Sequence, residues 1–137
     1  MSKSAEALTA LFDAARAAQA SAYAPYSRFK VGAALRTPGG AVFAGGNVEN
    51  ASYPEGVCAE TSAISAMALA GERRIAEICV VGAGDELCTP CGGCRQRLRE
   101  FADAGTLVHV AGPQGVRRTF RLSELLPESF GPGHLPA

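Results

Sequence analysis

Apolar residues at Leu8, Leu11, Phe12, Ala15 and Ala18 recur at three- and four-residue intervals, while Glu6, Asp13 and Arg16 fall largely outside that stripe. This is the period of a helix that buries one face. Ser4 is placed to cap it and Pro25 to stop it, which predicts a helix from about Ala5 to Ala22. Phe29 to Leu35 then reads as a strand, Pro38-Gly39-Gly40 as a turn, and Ala41 to Ala44 as the hairpin partner. Gly45 to Val57 has the Gly, Asn, Ser and Pro content of a loop. A second helix is expected from near Cys58 to just before Gly71, which suits a left-handed cap. Its Ala63, Ile64, Ala66, Met67, Ala68 and Leu69 leave almost no polar face, so it should lie buried. Ile75 to Gly82 is an apolar strand, and a third helix runs from near Cys91 to Gly105. Leu107 to Ala111 and Val116 to Leu122 supply two more strands around the turn Gly112-Pro113-Gln114-Gly115. Helices alternating with strands imply a layered α/β fold on a mixed sheet, with an antiparallel hairpin and parallel pairs made by helical crossovers.

The length of 137 residues fits a single domain spanning 1–137. A content of 47% hydrophobic and 19% charged residues is that of a globular protein and not of a disordered tail. Thirteen basic and 13 acidic residues cancel, which argues against a nucleic-acid partner. Arg95, Arg97 and Arg99, like Arg117, Arg118 and Arg121, read as solvated faces. No stretch of about 18 apolar residues is present to span a membrane. Glu6, Asp13 and Arg16 break the alanine-rich start, so no secretory signal is expected there. The five cysteines, Cys58, Cys79, Cys88, Cys91 and Cys94, are therefore expected to be reduced in the cytoplasm, with metal binding favoured over disulfides.

Candidate chemistry centres on Cys58-Ala59-Glu60 and Pro90-Cys91-Gly92-Gly93-Cys94. Three thiols fill three positions of a tetrahedral zinc site and leave the fourth open to water, the layout of a hydrolytic centre. Both segments fall at predicted helix starts, where unpaired N–H groups favour thiolates. Cys91 and Cys94, three apart, share one face of the first turn. Glu60 follows Cys58 by two residues, a divergence of about 200° on a regular helix. Both can face one cavity only if Cys58 occupies a cap or first-turn position. Glu60 would then carry protons; its bland alternative is to complement the helix dipole. Cys79 reads as core, and His109 and His134 lack ligand spacing. Cys88-Thr89-Pro90-Cys91 is a second Cys-x-x-Cys, and a closed four-thiolate site is its alternative reading. Pro90 should hold the preceding segment extended and aim Cys88 elsewhere. Three thiolates with a non-ligand Glu and a Pro-Cys-x-x-Cys element are the zinc-deaminase signature.

With these motifs the sequence resembles the cytidine deaminase family, in its small homotetrameric branch. The resemblance runs from Tyr23-Ala24-Pro25-Tyr26-Ser27-Arg28-Phe29 and Val31-Gly32-Ala33-Ala34-Leu35 through Gly46-Asn47-Val48-Glu49-Asn50-Ala51-Ser52-Tyr53. It continues through both cysteine motifs, with Arg95 and Gln96, to Glu124-Leu125-Leu126-Pro127 and Phe130-Gly131-Pro132. It implies a three-layer fold with a mixed five-stranded sheet flanked by helices, and one Zn2+ per subunit on Cys58, Cys91 and Cys94. The implied reaction is hydrolytic deamination of free cytidine and deoxycytidine to uridine and deoxyuridine, releasing ammonia, in pyrimidine salvage. Glu60 would be catalytic. Asn47 and Glu49 would bond the ribose, while Tyr53 and Ala59 shape the nucleoside site. Phe29 would pack near the base, and Phe130 would cover a base in another subunit of a homotetramer with shared active sites. Many relatives carry Arg after the catalytic Glu; here Thr61 stands there, and helix N-termini with Arg95 are the expected compensation. Alternatives are deamination of a cytosine-bearing antibiotic such as blasticidin S, deamination of a base within nucleic acid, and a non-catalytic zinc or thiol module.

Overall fold

The computed structural model describes residues 2–136. Its first helix, α1 (Lys3–Ala20), is capped by the Ser2 hydroxyl, which accepts from the Ala5 N–H. The helix therefore begins two residues before the expected start, because the earlier of two nearby serines takes the cap. It also ends at Ala20, well short of Pro25. Beyond it the backbone of Tyr23 pairs with Asn47 and Glu49, which takes those groups out of helical bonding.

Strands β1 (Gly32–Arg36) and β2 (Val42–Gly46) form the expected antiparallel hairpin. β1 starts later than its apolar run, and Asn47 supplies the reason. Its side-chain amide accepts from Val31 N–H and donates to the Phe29 carbonyl, occupying those groups as a ladder partner would. Helix α2 (Ala59–Leu69) ends in a Schellman motif. Gly71 N–H bonds Ala68 O and Glu72 N–H bonds Met67 O, with Gly71 at φ +88°. β3 (Glu77–Val81), α3 (Gly92–Phe101), β4 (Leu107–Gly112) and β5 (Gly115–Arg121) follow, then a short α4 (Leu122–Leu125).

The sheet order is β2-β1-β3-β4-β5. Only β3–β4, joined through α3, is parallel. The α2 crossover carries the chain past β1, so β3 pairs antiparallel with β1 instead of parallel with β2. The expectation of several parallel pairs is thus reduced to one.

Alternation along the strands divides the core in two. Leu35, Ile78, Val80, Val108 and Val110 face α2 and α3, against Ala63, Met67 and Leu98. Ala34, Cys79, Val81 and Ala111 face Leu11 and Ala15 of α1. Helices on both faces make three layers. Close approach of α2 to β2 depends on Gly45, where a Cβ would lie 2.5 Å from the Ser62 Cβ.

Candidate metal centre

Cys58 is the N-cap of α2, in extended conformation at φ −74° and ψ 156°. Cys91 caps α3 in the same way, at φ −66° and ψ 167°. Neither thiol caps its own helix, so both remain free to point together. This is the geometry that allows Cys58 and Glu60 to share a cavity despite their spacing. Cys94 lies in the first turn of α3 and is fully buried. The three Sγ atoms lie within 4.8 Å of one another, with Cys58 and Cys91 at 3.7 Å. Two sulfurs bound to one zinc at tetrahedral geometry stand about 3.8 Å apart. The donor set therefore fits zinc.

Glu60 is only 4% exposed and lines a cavity of about 150 Å3 with Val31, Asn47, Cys58, Cys88 and Cys91. Burial raises its pKa, against smaller opposing contributions from its own N–H, the Cys94 thiol and the Arg97 charge. Burial also raises Cys58, as does the neighbouring Cys91. Cys94 is driven upward by burial and by the Glu60 charge. For Cys91 burial is the largest single effect and also raises, but the nearby Cys94 N–H at the start of α3 and the two other thiols together outweigh it, so its pKa falls. Without a cation, helix N-termini thus favour one thiolate of three. A divalent ion supplies the charge that makes all three thiolates compatible.

Arg95 does not reach the cluster. Its guanidinium donates to the Pro90 and Leu125 carbonyls and to Thr89 Oγ1, at 2.7, 2.8 and 3.1 Å, and so fixes the loop before Cys91. The groups at the buried thiol are Thr61 Oγ1, 3.7 Å from Cys94 Sγ, and Arg97 Nη1, at 3.9 Å. Arg97 replaces Arg95 as the cation beside the sulfurs, a contact the helical i, i+3 spacing of Cys94 and Arg97 made visible in advance.

The region from residue 5 to residue 110 matches the family model for the cytidine and deoxycytidylate deaminase zinc-binding region. The chain belongs to that deaminase family. A cytidine deaminase of Halalkalibacterium halodurans is 43% identical over 113 residues, covering 82% of this chain and 86% of the relative. One from Mycobacterium tuberculosis is 45% identical over 121 residues, covering 87% and 86%. The crystal structure of cytidine deaminase from Burkholderia pseudomallei superposes with a TM-score of 0.85 at 45% identity, covering 95% of this chain and all of that one. The mixed five-stranded sheet between helices is therefore the deaminase fold.

The other deaminase-like positions do not all meet at the thiols. Asn47 and Ala59 line the cysteine cavity, whereas Glu49 and Tyr53 line a neighbouring cavity of about 240 Å3 with Tyr26 and Ser27. Glu49 accepts from the Tyr26 and Ser27 N–H groups and from the Ser27 hydroxyl. The Ser27 hydroxyl bond is the main cause of its lowered pKa. Sequence reasoning missed this turn-anchoring role, which the close approach of two distant segments creates. Phe29 lines a separate cleft with Cys88. Phe130 is 55% exposed and stacks on His134 at 5.0 Å, while its carbonyl accepts from Gln96 Nε2.

Proposed function

We propose that this chain hydrolytically deaminates free cytidine and deoxycytidine, with one zinc ion on Cys58, Cys91 and Cys94. The observation that carries the reading is the convergence of three Sγ atoms, two of whose cysteines line one cavity with a buried carboxyl. At about 150 Å3, that cavity is well below the roughly 300–1,000 Å3 of pockets for drug-sized ligands. It suits a single pyrimidine ring whose sugar lies outside.

Zinc bound there supplies the Lewis acidity that makes water nucleophilic near neutral pH. Glu60 takes the proton released as water attacks C4 and delivers it to N3. A second proton passes through the same carboxyl to the exocyclic nitrogen as the C4–N bond breaks. Cytidine and water thereby become uridine and ammonia. The upward shift that burial gives Glu60 suits a group that must both accept and donate protons. Asn47, already held by Phe29 and Val31, retains a donor and an acceptor site for the ribose, and the ionised Glu49 accepts from a sugar hydroxyl. Tyr53 and Ala59 wall the nucleoside, and Phe29 packs near its base.

Phe130 does not line the cysteine cavity of its own chain, which supports a role over the base in another subunit of a homotetramer. Exposed Tyr23, Val48 and Val57, joined by backbone bridges, form an apolar strip suited to such assembly. The 137 residues act as one domain, in the cytoplasm, in pyrimidine salvage. The test is Glu60→Gln. It should keep stoichiometric zinc and fold while turnover of cytidine, followed by ultraviolet absorbance, falls roughly 10^2–10^4-fold. A variant that deaminates normally would rule the reading out.

A further inference from the structure

The five cysteines sort by their surroundings. Three converge as the candidate ligands, and Cys79 is fully buried on the α1 face. Cys88 is the fifth: a half-buried free thiol that lines the Glu60 cavity but stands outside the ligand cluster. Burial, and then the Glu60 charge, raise its pKa, so it presents a neutral thiol. Its side chain sits against Gly82, where an added Cβ would meet Cys88 Sγ at 2.6 Å and Phe29 Cζ at 3.5 Å. The same side chain also lines the adjoining cleft of about 300 Å3, with Phe29 and the 83–87 segment. Cys88 is thus a wall common to two spaces.

The proposed reaction occupies most of the inner walls. Cys58 and Cys91 hold the metal, Glu60 faces N3 and the amine, and Asn47 serves the ribose attached to N1. The polar edge of the ring, N3 with O2 and the amine, belongs beside Glu60 and the exposed N–H groups at the start of α2; the apolar edge left without a partner is C5–C6, and the uncommitted walls are Val31, Cys88 and Thr89. We propose that Cys88 is a specificity-determining residue. It is the partition between the base cavity and the Phe29 cleft, and it sets how large a group on pyrimidine C5 the enzyme accepts. A short alkyl group or halogen would run past the thiol into the cleft. This inference rests on the deaminase reading of the cavity.

The experiment compares kcat/KM for cytidine, 5-methylcytidine and 5-ethylcytidine in the zinc-loaded wild type, Cys88→Ala and Cys88→Leu. Cys88→Ala should raise the 5-ethylcytidine to cytidine ratio about tenfold, and Cys88→Leu should lower it, since one methylene in a pocket discriminates by roughly 10–200-fold. Unchanged ratios in Cys88→Ala, the variant that only removes atoms, overturn the proposal even if the leucine variant misfolds. A second measurement follows alkylation of Cys88 by iodoacetamide in the zinc-loaded wild type, with peptide mass spectrometry. Uridine should protect the thiol. Absence of protection overturns the placement of the base in this cavity, whereas protection with unchanged ratios overturns only the partition.

Discussion

The two faces of the sheet each carry a glutamate, half-buried Glu77 on one and buried Glu60 on the other, and the environments differ. On the α1 face, Glu77 is bound by Arg36 at 2.5 Å and by His109 Nε2 at 2.9 Å. Arg36 also donates to the Ala7 carbonyl, and His109 Nδ1 meets Thr119 Oγ1 at 2.8 Å. The carboxylate only accepts, so Nε2 is the protonated nitrogen of that imidazole. On the α2 and α3 face, the Glu60 carboxyl meets no comparable pair of strong donors; its own N–H, the Cys94 thiol and the Arg97 charge only partly offset the effect of burial. What separates scaffold from site is the partners each carboxyl keeps. An acid whose lone pairs are filled by strong donors stabilises the fold, whereas a buried one without them, beside a cavity, retains capacity to move protons.

The largest effect should come from exchanging these roles. Glu60→Gln loses turnover, as set out above, while Glu77→Gln should leave turnover per folded molecule unchanged. It should instead cost about 1–3 kcal/mol in urea denaturation, the penalty for weakening the bonds of buried His109 and half-buried Arg36. Equal loss of turnover in both variants would erase the distinction.

A smaller effect concerns Cys79, fully buried on the α1 face, whose thiol is pushed up to about 12 by burial and then by Glu77. An acid with a raised folded-state pKa contributes its full stability below the unfolded value, 9.0, and loses it as pH climbs towards the folded value. Wild type should therefore lose roughly 2 kcal/mol more than Cys79→Ala between pH 8 and 10.5. Parallel denaturation curves at the two pH values measure this, and identical losses would contradict it.

The smallest effect separates two arginines on one helix. Arg97→Met should weaken zinc retention against a chelator only a few-fold, as befits an exposed charge contact of about 0.2–1 kcal/mol. Arg95→Met should lower stability by about 1–3 kcal/mol through three lost hydrogen bonds. The reverse pattern would restore Arg95 as the partner of the sulfurs.

Much of this architecture is legible in the sequence because local signals and global packing agree. Although the helix capped at Gly71 buries one face only and leaves Leu69 exposed, against the expectation of burial all round, that helix, the hairpin and the Pro113-Gln114 turn follow from periodicity and turn chemistry. So does the cap position of Cys58, which the Cys-x-Glu spacing demands. Illegible features depend on partners distant in sequence. The late start of β1 needs the Asn47 side chain, the early end of α1 needs the pairing of Tyr23, and the single parallel pair needs the path of α2. The assignment of Glu49 to a turn and of Arg95 to a loop is equally nonlocal. Each of these side chains has several chemically reasonable partners, and only the fold selects among them.

The contact between Gly82 and Cys88 has a bearing on how this protein can change. Enlarging position 82 by one carbon would place that carbon 2.4 Å from the Cys88 Cβ and 2.6 Å from its Sγ. Because the closest approach is to the Cβ and not only to the sulfur, trimming Cys88 to alanine leaves that conflict in place. Position 82 is therefore tied to glycine for as long as any side chain stands at 88, whereas position 88 is free to vary while 82 stays glycine.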